Sequence, residues 1–127
     1  MPIPLLKMEV NAMSEKVKPI VLKDTDTGET YTLEFNRDSI RFAESRGFVI
    51  TDVEKYPMTS IYDLFFYAFR MHHRNVPREK TDKIIDEYWG GIGGIPEGVL
   101  TRLGELWADT FNPLVDENKN PRITVEL

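Results

Sequence analysis

The sequence predicts an α+β domain dominated by about four helices, with a small antiparallel sheet made by an N-terminal hairpin and open to a third strand from the C-terminal segment. Three observations lead there. Two β-branched runs, Pro19–Lys23 and Thr30–Phe35, flank the turn-forming cluster Asp24–Gly28, which is the pattern of a hairpin. From Asn36 to Phe111 the apolar residues recur at intervals of three and four, the period of helices with one buried face. Arg122–Leu127 then returns to alternation.

The chain has 127 residues, one domain's worth. Such a length buries roughly 65–70% of the unfolded surface and sustains its own core. Residues 1–17, with Pro2 and Pro4 and no sustained period, are expected to form a flexible arm. Residues 18–115 form the core, and 116–127 a polar loop followed by the candidate strand.

Each element has a local reason. In the second strand Tyr31, Leu33 and Phe35 fall on one face and Thr30, Thr32 and Glu34 on the other, so one side of the hairpin needs a cover. A first short helix follows, capped by Asn36 or Asp38, with Ile40, Phe42 and Ala43 inward and Gly47 as its stop. After a connector ending at Pro57, Thr59 is expected to cap an aromatic helix over Ser60–Arg74. Ile61, Leu64, Phe65, Ala68 and His72 make one stripe along it, and Tyr62, Phe66, Phe69 and His73 a second. Asn75–Pro77 ends it. Thr81 is expected to cap the next helix, with Ile84, Ile85, Tyr88 and Trp89 on its apolar side, and Gly90–Gly94 to stop it. Pro96 and Glu97 suit the first turn of a last helix whose inward residues are Val99, Leu100, Leu103, Leu106, Trp107 and Phe111.

Composition removes several classes of function. The net charge of −5 disfavours a broad contact with nucleic-acid phosphates, which needs clustered Lys and Arg. There is no cysteine, so disulfides, thiolate nucleophiles and cysteine-ligated metals are excluded, in keeping with a reducing cytoplasm. No basic start with an unbroken apolar run marks an export signal, and no stretch reaches the length of a membrane span. The expectation is a cytoplasmic protein with neither nucleic-acid nor membrane partner.

Chemistry finds little support. His72 and His73 are adjacent, whereas two ligands on one helix sit three or four residues apart, and no HExxH pattern completes a metal site. Gly90–Gly94 lacks the GK[ST] ending of a phosphate loop and follows a helix, not a strand. The acidic pairs Asp24/Asp26, Asp86/Glu87 and Asp116/Glu117 fall in turns or on solvated faces, and no G-x-S-x-G elbow is present. No enzyme, cofactor or metal is therefore expected. A helix apolar on most of its circumference is either wrapped by its own domain or shared with a neighbour. The second stripe, Tyr62, Phe66, Phe69 and His73, is accordingly the candidate protein interface.

Three ordered segments carry a family resemblance: Tyr31 to Gly47 (YTLEFNRDSIRFAESRG), Pro57 to Phe69 (PMTSIYDLFFYAF) and Thr81 to Glu87 (TDKIIDE). A strand leads into a helix ending Glu-x-x-Gly at Glu44–Gly47, then a spacer, then a helix opening at Thr59 with Asp63, Leu64 and Phe65. In this order and spacing, over about residues 29 to 111, the chain resembles the tail assembly chaperones of long-tailed bacteriophages, siphophages and prophages of Gram-positive hosts. The arm and the Gly90–Gly94 run lie outside the pattern. The resemblance implies a non-enzymatic protein of the host cytoplasm, absent from the mature virion. Such a protein multimerises around the tape measure protein and keeps it soluble until tail tube subunits replace it. It also implies a longer, frameshifted form whose extension recruits the tube protein. Two alternatives stand beside it: a homo-oligomeric adaptor of another system, and a small hydrolase using His72 or His73.

Overall fold

A computed structural model of the chain describes residues 16–112 and 122–127. In order these form β1 (Ile20–Lys23), β2 (Thr30–Leu33), α1 (Arg37–Ser45), α2 (Asp52–Lys55), α3 (Pro57–Phe69), α4 (Arg78–Lys83) and α5 (Val99–Asp109). A π-helical turn, Ile84–Tyr88, continues α4 directly, and a 3-10 turn, Ile92–Gly94, precedes α5. The class is α+β and helix-dominated, as the patterning predicts. β1 and β2 pair antiparallel with Ile20 opposite Leu33 and Lys23 opposite Thr30. Their loop is closed by Asp24, whose carboxylate accepts from the Asp26 and Thr27 N–H groups. Those two bonds hold the Asp24 carboxyl below its ordinary pKa.

The expected third strand does not form. Residues 122–127 are unpaired, and Ile123, Val125 and Leu127 are exposed. Alternation gives a segment two faces but supplies no edge to join, and one edge of the hairpin is already used. Along β2 and just beyond it, the Thr32 N–H donates to His73 Nε2 and the Glu34 N–H to the Ala68 carbonyl. The expected loop at 116–121 and most of the expected arm lie outside the described residues.

Helix boundaries move for identifiable reasons. α1 is capped as expected, with Asn36 Oδ1 accepting from the Ser39 N–H and Ser39 Oγ accepting from the Asn36 N–H. Gly47, at φ +91°, turns the chain out of it. Thr59 does not cap α3. The helix opens earlier at Pro57, whose fixed φ suits the first helical position, and Thr59 Oγ1 instead donates back to the Tyr56 carbonyl. α3 ends at Phe69, short of Arg74, because the Ala68 carbonyl takes its bond from the Glu34 N–H just after β2 and the His72 N–H turns to the Phe69 carbonyl. Thr81 likewise is no cap. It lies fully buried inside α4 with its hydroxyl donating to the Arg78 carbonyl, while Pro77 occupies the cap position. Pro96 and Glu97 form a turn before α5, whose cap is Gly98. Phe111, expected inward, lies past the end of α5 and is exposed.

α3 is the axis of the core. Ile61, Leu64, Phe65, Ala68 and Phe69 are buried on it, and the last four pack in one cluster with Leu33 and Phe35 from the hairpin side, Ile40 and Ala43 from α1, Ile84 and Ile85 from the π-helical turn, and Leu103, Leu106 and Trp107 from α5. Aromatic rings meet edge-on through this core, Phe35 with Trp107 at 5.1 Å and Phe65 with Phe69 at 5.1 Å between centroids. Among the described residues no buried side-chain polar atom lacks a hydrogen-bond partner.

Candidate functional site: an arginine-lined aromatic cleft

The C-terminal ends of α1 and α3 converge, and each is capped by an arginine, Arg46 and Arg70 respectively. That placement has a local cause: cations favour helix C-termini, where carbonyls point outward without intrahelical donors. Both guanidiniums lie over Phe42, with Arg70 Cζ 3.5 Å and Arg46 Cζ 4.6 Å from the ring centroid. Phe42 is half-buried because Ile40 and Ala43 take the inward face of α1, and its ring meets Tyr67 edge-on at 6.0 Å. Phe66, Tyr67, Phe69, His73, Arg74 and Val76 complete the walls of an open cleft of about 270 Å³. Among the described residues none of Arg46, Arg70 and Arg74 forms an ion pair.

The four residues predicted as an interface separate. Phe66 is half-buried and reaches the cleft, with the Arg78 guanidinium carbon 5.5 Å from its ring centroid. Arg78 is itself fixed by Asp63 and Asp82, each at 2.8 Å. Phe69 is a core residue, 1% exposed and packed on Phe65 and Tyr31, which corrects its assignment as a partner-facing side chain. His73 borders the cleft but serves the fold, accepting the Thr32 N–H at 2.9 Å. Burial, and then the neighbouring His72, hold its pKa below the ordinary value. Tyr62 lies outside the cleft. Its hydroxyl donates to Asp86, and that bond, followed by burial, pushes the phenol up to about 12.

His72, expected on the inward stripe of the aromatic helix, is exposed and contacts Glu34 at 2.8 Å. Sequence reasoning passed over Phe42, Arg46, Arg70 and Arg74 as site residues. With the aromatic helix expected to run through Arg74, Arg70 fell inside it, and nothing in the spacing says that the two helix ends meet. A second cleft of about 290 Å³ lies between the hairpin loop and the π-helical turn. Its charges are mixed, Lys23 and Lys80 beside Asp24 and Asp26, so it has no one-signed field.

The fold and the cleft define a small α+β protein with a cationic, aromatic recess and, among the described residues, no cluster of side chains able to hold a metal. No helix of the described residues is long and apolar enough to cross a membrane. Over residues 13–127 the chain matches, and belongs to, the family described as Domain of unknown function (DUF5055). No curated protein and no solved structure matches it.

Proposed function

We propose that this protein is a tail assembly chaperone of a long-tailed bacteriophage, a non-enzymatic binder that multimerises around the tape measure protein and keeps it soluble in the host cytoplasm. The carrying observation is α3. The helix at the centre of the resemblance, Pro57–Phe69, both centres the core and presents Phe66 to an open cleft beside three arginines that form no ion pair among the described residues. Aromatic residues and arginine are the side chains that dominate binding energy at protein interfaces. The order of Glu44–Gly47, Thr59–Phe65 and Thr81–Glu87 adds support from the chain itself.

A small hydrolase built on His72 or His73 is the weaker reading, because both imidazoles are engaged with β2 and the residue following it. An adaptor of another system would use the same cleft and differ only in its client. Co-expression with a helical fragment of a tape measure protein separates these readings. The expected outcome is a soluble complex that purifies together. A fragment that stays insoluble beside abundant soluble chain would overturn the assignment.

A further inference from the structure

We infer that the cleft between α1 and α3 is a carboxylate-binding site, taking an acidic side chain from an amphipathic helical segment of a partner protein; this rests on the chaperone reading and names the chemistry of the client segment. Arg46, Arg70 and Arg74 gather on one recess of a chain whose net charge is −5, and among the described residues no carboxylate neutralises them. The two converging helix C-termini explain part of this. Each carries about half a negative charge, so together they offset only one of three guanidiniums.

Arg46 and Arg70 are also prepared for a ligand. Both guanidiniums rest against the Phe42 ring, and among the described residues neither donates a side-chain hydrogen bond, so their N–H donors are left for a carboxylate, which a guanidinium fork can meet in bidentate fashion. A side chain already held against a ring loses less freedom when it binds.

The same geometry argues against a nucleic acid. Of the rings lining the cleft, Phe42 lies against two guanidiniums, Tyr67 is 8% exposed and Phe69 is 1% exposed, which leaves the half-buried Phe66 and His73 and no row of open faces on which successive bases could stack. A polyphosphate backbone would also approach a chain of net −5. The remaining wall, Phe66 and Val76, suits the aliphatic neighbours of an acidic residue on a helix. The recess of about 270 Å³ admits a side chain or two and no folded element.

The test is fluorescence anisotropy with a labelled amphipathic helical peptide carrying glutamates along one flank of a leucine face, and a twin with glutamine at those positions. The acidic peptide is expected to bind at least tenfold more tightly than its twin, and the preference should shrink as salt is raised. Arg74→Gln, at a residue with no stacking role, should reduce affinity for the acidic peptide about tenfold with an unchanged melting temperature. Equal binding of the two peptides, binding of neither, or tighter binding of oligothymidylate than of the acidic peptide would each overturn the carboxylate assignment. Repeating the tape measure co-expression with Arg74→Gln separates the two claims. A fragment kept soluble equally by variant and parent overturns the carboxylate site alone, whereas a fragment that the parent fails to hold overturns the chaperone reading.

Discussion

Phe66 and Phe69 are three residues apart on α3 and both line the cleft, and no periodicity rule distinguishes them, yet Phe66 is half-buried and Phe69 is 1% exposed. The difference lies in what arrives from elsewhere in the chain. Tyr31 covers Phe69 with a ring 5.6 Å away, whereas Arg78 lies over Phe66 with its planar, solvated head. Truncation should therefore separate them. Phe69→Ala is expected to destabilise the fold by about 3–5 kcal/mol, the range for emptying a packed aromatic site, while Phe66→Ala should remain below about 1.5 kcal/mol. Chemical denaturation of the two variants checks this. At Tyr62 the hydroxyl bond to Asp86 joins α3 to the π-helical turn. Tyr62→Phe should lower stability by about 0.5–1.5 kcal/mol, read from the urea midpoint, and should leave client binding intact because Tyr62 lies outside the cleft.

At the level of elements, the sequence made the hairpin, the first helix, the aromatic helix and the last two helices legible, because each rests on local periodicity and turn chemistry. What it could not show were contacts between distant elements. α3 ends at Phe69 because β2 and the residues after it take over its terminal bonds, through Glu34 to Ala68 and Thr32 to His73, and no signal inside residues 57–74 announces that. The same junction gives a pH dependence. Above the ordinary histidine value of 6.5, His73 is neutral in the folded and unfolded chain, and its bond to Thr32 is complete. Below 6.5 the unfolded chain takes up the proton first, since the folded value is lowered, so stability falls toward that lowered value and levels off beneath it. His72 and Glu34 share this corner, so the measurement is the difference in urea midpoint between the parent and His73→Gln across that window. The difference should narrow as pH falls.

Glycines give a second contrast at this scale. A Cβ at Gly94 would collide with the Trp89 backbone, so Gly94→Ala should destabilise by more than about 2 kcal/mol. Replacing Gly104, inside α5 where nothing among the described residues would crowd a Cβ, by alanine should stabilise the fold by about 0.5–1 kcal/mol.

For the whole molecule, the arrangement sorts charge and exposure into one recess. The chain is acidic, its core closes around α3, and three arginines without an ion pair among the described residues gather where two helices end. The sequence pointed to the aromatic helix, and that helix lines the cleft proposed as the binding surface. It did not show which of its side chains would remain available, because that depends on how Tyr31, Phe42 and Arg78 pack over it. The central claim is that this cleft binds a partner protein. Its most direct test is light scattering behind size-exclusion chromatography, run on the chain mixed with a soluble tape measure fragment, for the parent and for Phe66→Glu. The account predicts a complex heavier than either component with the parent, and separate peaks with a Phe66→Glu variant that keeps the parent's circular dichroism spectrum. A folded Phe66→Glu variant that forms the same complex as the parent would contradict it.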